Sequence, residues 1–230
     1  MESPRRQAFR DGLGAVAPMV AAILPFGVTA GVAGLDAGLG AALTLGMSLI
    51  VFAGASQLAS IQLIDAGAAA PLVVLTALII NLRMVMYSAH LAPHFRHVSA
   101  GGRSLMAYIL TDQAYALTIS RVMTRDADGF HHWFYFGVAL PLWGVWQIAT
   151  AFGYWAGTAM PPAWELGFIV PLIFLALLVM SITSRPGLIA ALVAGGLSVL
   201  GRDLPAGLGL TLASLAGIIA GVMAEGWRRG

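Results

Sequence analysis

Long apolar runs bounded by glycine, proline or charged residues make up most of this chain. A membrane-spanning helix needs about 20 consecutive apolar residues, so 230 residues can supply about six to eight crossings and little else. Hydrophobic residues account for 59% of the chain and charged residues for only 10%, which excludes an ordinary soluble domain. The runs lie near residues 12–34, 43–64, 71–92, 105–120, 131–158, 165–183, 187–200 and 206–226.

These runs are continuous in hydrophobicity and lack the alternating pattern of lipid-facing strands. They therefore predict an all-α, polytopic transmembrane helix bundle. We expect one transmembrane domain over residues 1–230, in which residues 1–11 form a short cytoplasmic segment. No cysteine is present, which excludes disulfides and thiolate chemistry. The basic start leads into an apolar stretch too long for a signal peptide, so no cleavable signal is expected.

The arginines test how many segments cross the membrane. All 12 basic residues are arginine, and positively charged loops stay on the cytoplasmic side. If all eight segments cross from a cytoplasmic amino terminus, Arg96, Arg103 and Arg202 are left outside. If the second and fourth segments instead enter and leave on one face, only Arg202 remains outside and both termini are cytoplasmic. We therefore prefer six full spans plus two re-entrant or broken helical segments.

The same two segments carry polar residues in mid-run. The second contains FAGASQ at 52–57, and the fourth contains Thr111, Asp112 and Gln113. Irregular backbone at membrane depth occurs only where it is buried in protein or lines a wet cavity, so both segments indicate a central site. The amides of Gln57 and Gln113 need partners there, either backbone groups or a ligand. One re-entrant element from each face would fit an inverted-repeat transporter.

Only two charges, Arg83 and Asp112, lie within the predicted hydrocarbon depth. Each costs about 2.5 to 3.5 kcal/mol at the bilayer centre if it is unpaired, which predicts a mutual salt bridge. A purely structural pair is one interpretation. The other is functional, because ionisable residues inside a membrane tend to mark transport pathways.

The third segment is unusually polar around Arg83. Arg83, Tyr87 and His90 are spaced to share one helical face, which we expect to look inward. Asn81 and Ser88 share another stripe and are suited to bonding neighbouring helices.

Three histidines, His90, His94 and His97, also have helical spacing that could suggest a metal site. Pro93 disfavours a continuous helix through them, and Arg96 adds positive charge beside them. We therefore expect no metal site and no cofactor.

Two further patterns concern helix packing. Trp143 and Trp146 lie deep in the fifth segment and face either a partner or the pathway. Three pairs of glycines four residues apart predict close helix contacts, at Gly27 and Gly31, Gly153 and Gly157, and Gly217 and Gly221.

Taken together, the polar stretches resemble the AzlC family, the large subunit of bacterial branched-chain amino acid exporters. The resemblance covers most of the chain and is strongest from about Pro25 to Arg121. It is carried by Met47-Ser48 through FAGASQ at 52–57, Asn81-Leu82-Arg83 with Tyr87-Ser88, Ala92-Pro93-His94, and Thr111-Asp112. The chain departs from the family at Gln113, where members often have glutamate, so a role of that acid in proton coupling does not carry over.

The resemblance implies a non-enzymatic, proton-coupled exporter of leucine, isoleucine, valine and sometimes methionine in the bacterial inner membrane. It also implies a small hydrophobic partner subunit of the AzlD type. Neither the substrate nor the partner follows from composition or periodicity.

We hypothesise that the ligand carboxylate meets Arg83 or the backbone N–H groups of residues 54–57. Asp112 would then receive the ligand ammonium or a coupling proton. The predicted binding or coupling residues are Arg83, Asp112, Gln57, Asn81, Gly54, Ser56, Tyr87 and Gln113, with an aliphatic pocket of Phe52, Leu58, Met84 and Met86.

Three alternatives remain open at this point. One is a permease for another small zwitterionic or polar solute. Another is an intramembrane hydrolase with Ser56 as nucleophile and His90 as base, although no oxyanion hole is specified. The third is a non-catalytic scaffold for the small partner.

Overall fold

The computed structural model describes residues 3–124, 130–159, 184–201 and 208–229, together with residues 175, 178, 182 and 204. Within this part of the chain all regular structure is helical, as predicted. The helices are Pro4–Asp36 (α1), Ala41–Val51 (α2), Gly54–Asp65 (α3), Ala70–Leu91 (α4), Ala100–Tyr108 (α5), Asp112–Thr124 (α6), His131–Ala159 (α7), Arg185–Leu200 (α8) and Leu208–Arg229 (α9), with a 3₁₀ turn at Ala92–Phe95.

Three of the described helices are long and apolar enough to cross a membrane, namely Pro4–Asp36, Ala70–Phe95 and His131–Ala159. Shorter apolar helices occur at Arg185–Leu200 and Leu212–Gly226. The protein is therefore an all-α membrane helix bundle. The segment expected near 165–183 lies outside the described residues, apart from three isolated positions.

Helices α1 and α7 run parallel and form the tightest helix pair of the bundle. The backbone of Gly153 packs against Val28, and that of Gly31 packs against Thr150. Because the side chain of glycine is a single hydrogen atom, the two backbones can approach to van der Waals contact. The first two glycine pairs thus act as predicted, and Gly217 and Gly221 of α9 pack in the same way against α8.

Helices α2 and α3 form a hairpin whose two ends lie at the same end of the bundle, where α1 ends. The Gln57 side chain reaches back to the Thr44 carbonyl oxygen, 3.3 Å away. In one straight helix these residues would lie about 20 Å apart, so the chain must reverse between them. Asp65, at the end of α3, lies near enough to Asp36 for their carboxylates to interact.

Helices α5 and α6 form a second hairpin from the opposite, amino-terminal end of the bundle. Near the start of α5, His97 Nε2 lies 3.1 Å from His132 Nδ1, in the first turn of α7. At the end of α6, the Arg121 guanidinium lies 3.1 Å from the Asp11 carboxylate, in the early turns of α1. Both ends of this hairpin are therefore at the end where α1 begins.

The two hairpins enter from opposite ends, and their tips meet in the middle of the bundle. The Tyr108 hydroxyl at one tip donates to the Leu49 carbonyl oxygen at the other, 2.5 Å away. This confirms the expectation that the second and fourth predicted segments are broken and turn back. The order of a long helix followed by a hairpin occurs twice, as α1 to α3 and α4 to α6, with opposite directions. That is the arrangement of an inverted repeat.

Candidate functional site

A cavity of about 610 Å³ lies where the two hairpin tips meet. Its volume is within the range of about 300 to 1,000 Å³ typical of small-molecule sites. Both hairpins, α1, α4 and α7 contribute to its wall. The lining residues are Ala22, Ile23, Phe26, Phe52, Ala53, Gly54, Ala55, Arg83, Met84, Thr111, Asp112, Gln113, Leu142, Trp146 and Leu178.

The amino termini of α3 and α6 both lie at this cavity. Phe52 adopts a left-handed conformation, with φ of 41°, that ends α2 and lets α3 begin at Gly54. Ala53, at the N-cap of α3, has no side chain able to cap the first N–H groups. Those N–H groups are therefore available to an anion, favoured by the helix dipole. At α6, Thr111 Oγ1 accepts a hydrogen bond from the Ala114 N–H, 3.2 Å away.

Arg83 and Asp112 form the predicted salt bridge on the cavity wall, with 3.0 Å between Arg83 Nη1 and Asp112 Oδ2. The pair joins α4 to the start of α6. The two side chains keep 34% and 39% of their exposure, so the pair faces open space instead of being sealed in the core. Among the described residues, Arg83 Nε and Asp112 Oδ1 are buried without hydrogen-bond partners. The pair thus retains bonding capacity beyond its own contact.

Three predicted site residues lie behind the hairpin tip instead of on the cavity wall. The Ser56 hydroxyl donates to the Ala53 carbonyl oxygen at 3.0 Å, and Asn81 Nδ2 donates to Ser56 Oγ at 3.1 Å. Ser56 and Gln57 are fully buried, and Gln57 bonds the α2 backbone. Of the two roles left open for Gln57, backbone repair is therefore the one that its geometry supports. Gln113, in contrast, lies on the cavity wall.

Two residues that were not singled out from the sequence satisfy the broken end of α2. The last four carbonyl groups of a helix have no partner within that helix. Tyr108 donates to the Leu49 carbonyl oxygen, and Gln147 Nε2 donates to that of Ser48 at 3.2 Å. Trp143 Nε1 in turn donates to the Tyr108 hydroxyl at 3.1 Å, so its indole is held against the tip of the second hairpin. The sequence indicated these contacts only in a general way, because a broken helix needs hydrogen-bond donors for its last carbonyl groups.

The face of α4 predicted to look inward does contact α6. One turn of α4 beyond Arg83, the Tyr87 ring stacks on the Tyr115 ring with 4.2 Å between centroids. One turn further on, His90 Nδ1 lies 2.7 Å from the Tyr115 hydroxyl. Arg83, Tyr87 and His90 therefore share one face, as their spacing indicated.

Two of the four predicted pocket residues, Phe52 and Met84, lie on the cavity wall. Leu58 is fully buried in the core, and Met86 is 66% exposed on another face of α4, two residues from Met84. Neither of them therefore lines this cavity. For Met86 the physical reason is that residues two apart on a helix point in nearly opposite directions. The aromatic wall includes Trp146, one of the two tryptophans whose surroundings the sequence left open.

The polar groups proposed for a hydrolase do not meet. Ser56 is bonded to Asn81, and His90 lies nine residues further along the same helix, about 13 Å away along its axis. His90 bonds Tyr115 and His97 bonds His132, so the histidines of the predicted cluster have different partners. Within the described part of the chain, no group of three or more His, Cys, Asp or Glu side chains is placed to hold a metal.

Comparisons with known proteins agree with this architecture. A family model described as AzlC protein matches residues 18–160, which is more than half of the chain. The chain is 27% identical to Inner membrane protein YgaZ of Escherichia coli strain K12, over 97% of this chain and 94% of the relative. It is 30% identical to an uncharacterized membrane protein of Archaeoglobus fulgidus, over 95% and 94% respectively. No solved structure matches it significantly. The protein thus belongs to the AzlC family of membrane proteins.

Proposed function

We propose that the protein is a secondary transporter that exports branched-chain amino acids across the bacterial inner membrane, coupled to protons. One observation carries the proposal, namely the central cavity that joins two re-entrant tips to an intramembrane ion pair. Ionisable residues at membrane depth mark substrate and ion pathways. Helix breaks beside them supply the backbone groups that transporters use for charged substrates.

The cavity offers complementary contacts for both charges of an amino acid. The ligand carboxylate binds Arg83 or the uncapped N–H groups at Gly54 and Ala55. The ligand ammonium binds Asp112, which displaces part of the salt bridge. Because the pair is half-open to the cavity, a zwitterion can insert between its charges without leaving either one unpaired.

The rest of the wall suits an aliphatic side chain. Phe52, Met84, Leu142 and Trp146 present apolar surface to the cavity. Burying a leucine or valine side chain there contributes about 1.5 to 3 kcal/mol, which a smaller or more polar side chain would not gain. This apolar wall supports the branched-chain class over polar amino acids.

The orientation follows from the arginine distribution, and the partner and the direction of transport follow from the family resemblance. Both termini are cytoplasmic in this proposal, so the hairpin of α5 and α6 enters from the cytoplasm. A small hydrophobic subunit of the AzlD type assembles with the chain. The separation of Ser56 from His90 supports a transporter over an intramembrane hydrolase.

The test is efflux of labelled leucine and valine from preloaded cells at matched expression. Arg83→Gln and Asp112→Asn should each lower efflux by about tenfold or more, since each leaves one charge unpaired and one end of the ligand without a contact. Arg96→Gln, an exposed arginine away from the cavity, is the matched control and should leave efflux unchanged.

The double variant Arg83→Gln with Asp112→Asn separates function from structure. It removes both charges together, so no uncompensated charge stays buried and expression should recover. A merely structural pair would give near-normal efflux in this variant. The proposal requires efflux to stay low, and near-normal efflux from both single variants would also contradict it.

A further inference from the structure

The polar face of α4 continues from the central ion pair to the amino-terminal end of the bundle. It meets α6 along three successive contacts: Arg83 with Asp112, Tyr87 with Tyr115, and His90 with Tyr115. Helix packing alone does not require this sequence of groups, because leucine or alanine would fill such a seam in a membrane bundle. Each of the groups can donate, accept or hold a proton.

We propose that His90, Tyr115 and Tyr87 form a proton path between the amino-terminal end of the bundle and Asp112. The inference rests on the transport function proposed above and adds the route by which the coupling proton reaches the central carboxylate. Among these residues, Tyr115 had no role in the site predicted from the sequence.

His90 is the outer end of the path. Its side chain is exposed near the end of α4, and its Nδ1 lies 2.7 Å from the Tyr115 hydroxyl. One imidazole nitrogen can accept a proton while the other donates one, so a histidine at this position can relay a proton. Other titratable or charged groups near this end of the bundle include His94 in the following 3₁₀ turn, Arg96 and His97 after it, and Arg103 of α5.

Arg103 also lines a small cavity of about 180 Å³ next to the end of α4. Ser88, Leu91 and Tyr135 contribute to the same cavity. His90 is not among its lining residues, so in this proposal the outer end of the path opens to the aqueous phase through the exposed His90 side chain itself.

Tyr87 is the inner end of the path. Tyr87 lies one turn beyond Arg83 on the face of α4 that meets α6, and the Asp112 carboxylate is among the charges that act on its hydroxyl. The Tyr87 and Tyr115 rings are stacked, with 4.2 Å between centroids and planes 13° apart. The stack holds the two phenols side by side across the seam, and the contacts of the described residues include no hydrogen bond between their hydroxyls, so in this proposal the proton crosses through bridging water.

The proton balance is simple. His90 takes a proton from water on Nε2 and gives its Nδ1 proton to the Tyr115 hydroxyl oxygen. Tyr115 releases its own hydroxyl proton toward Tyr87, and Tyr87 passes its proton to the Asp112 carboxylate. Each phenol ends with one proton, His90 returns to neutral in the other tautomer, and Asp112 becomes neutral. Neutral Asp112 no longer attracts the ligand ammonium, so the proton and the amino acid compete for the same carboxylate, as exchange of one for the other requires.

Everted membrane vesicles from cells expressing the full chain test the path, with labelled leucine as the probe. Counterflow is measured with the proton gradient collapsed, and accumulation is measured under an imposed pH gradient. In counterflow, leucine on one side of the membrane exchanges for leucine on the other without net proton movement. Gradient-driven accumulation, in contrast, requires protons to move. Vesicles from cells without the chain provide the background.

Tyr115→Phe keeps the ring stack and removes only the hydroxyl. We expect it and His90→Gln to keep counterflow within about twofold of the wild type while accumulation falls by about tenfold or more, as for loss of a proton-transfer group. Tyr154→Phe is the control, because its hydroxyl donates to the Leu39 carbonyl oxygen at 3.2 Å, far from the path. It should change neither measurement.

The outcomes separate the two proposals. Absence of leucine counterflow by the wild type contradicts the transport function itself. Wild-type counterflow with no response to the pH gradient leaves transport intact and overturns the proton path. Full gradient-driven accumulation by both Tyr115→Phe and His90→Gln also overturns it, as does equal loss of counterflow and accumulation in both variants.

Discussion

Gly54 is the residue at which the cavity is most sensitive to size. It starts α3 on the cavity wall, and its backbone is packed against two aromatic rings. A methyl group added there would lie 2.5 Å from Trp146 Cη2 and 2.8 Å from Phe26 Cε1. Both distances are shorter than a normal van der Waals contact, so the rings would have to move into the cavity or the tip would have to withdraw.

Gly54→Ala should therefore impair transport, and the loss should be greater for larger substrates. We expect efflux of leucine and isoleucine to fall more than efflux of valine, because one missing methylene in a pocket is worth about 1 to 3 kcal/mol. The measurement is competition for labelled valine counterflow by each amino acid.

Gly46→Ala on α2 of the same hairpin is the control for Gly54→Ala. Nothing lies within 4 Å of the added methyl group at Gly46, so transport should be unchanged. Equal inhibition constants for leucine and valine in Gly54→Ala would mean that the wall near Trp146 does not contact the substrate side chain.

At the scale of helices, the breaks could be predicted because their signal is local. Polar residues such as Ser56 and Asp112 inside apolar runs are costly unless something satisfies them, and this cost is visible in the sequence. The partners that satisfy them are not, because they depend on which helices are neighbours. Tyr108 and Gln147, which satisfy the end of α2, lie 59 and 99 residues from the carbonyls they bond. The surface that Met86 faces depends on those neighbours too, and in the structure its side chain is exposed.

The contact of α1 with α7 makes a prediction about stability. A methyl group at Gly153 would overlap the Val28 carbonyl oxygen, which belongs to rigid helical backbone. Gly153→Ala should therefore separate the two helices and cost about 1 to 3 kcal/mol, as overpacking does. A lower apparent melting temperature of the purified protein in mild detergent would report this loss.

Gly144→Ala on the same helix is the control for Gly153→Ala. The position has nothing within 4 Å of the added methyl group, and alanine has a higher helix propensity than glycine. Its melting temperature should stay equal or rise. If Gly153→Ala has the same melting temperature as Gly144→Ala and the wild type, the glycine pairs do not set the spacing of α1 and α7.

At the scale of the whole molecule, the two hairpins place the substrate cavity between units of opposite direction. The tips touch through the Tyr108 hydroxyl, and the ion pair joins α4 to the second tip. Transporters built in this way expose a central site alternately to each side when one unit rocks against the other. Each hairpin occupies one end of the bundle, so the sidedness of the hairpins determines which of them lies between the cavity and the cytoplasm.

That sidedness can be measured directly because the chain contains no cysteine. Single cysteines at Ala37 and Ala66 flank the first hairpin, and cysteines at Ser99 and Thr124 flank the second. Two re-entrant hairpins and a cytoplasmic amino terminus predict that a membrane-impermeant maleimide labels the first two in intact cells. The other two should be labelled only after the inner membrane is permeabilised.

Each pair of cysteines provides its own internal control. Positions 37 and 66 would fall on opposite sides if α2 and α3 together crossed the membrane, and positions 99 and 124 would do so if α5 and α6 crossed. Opposite labelling within either pair therefore rejects the corresponding hairpin as re-entrant, whatever the orientation of the termini. Reversal of both pairs together would keep the hairpins and invert the proposed orientation. In that case the hairpin of α2 and α3, which carries the uncapped N–H groups at Gly54, would enter from the cytoplasm.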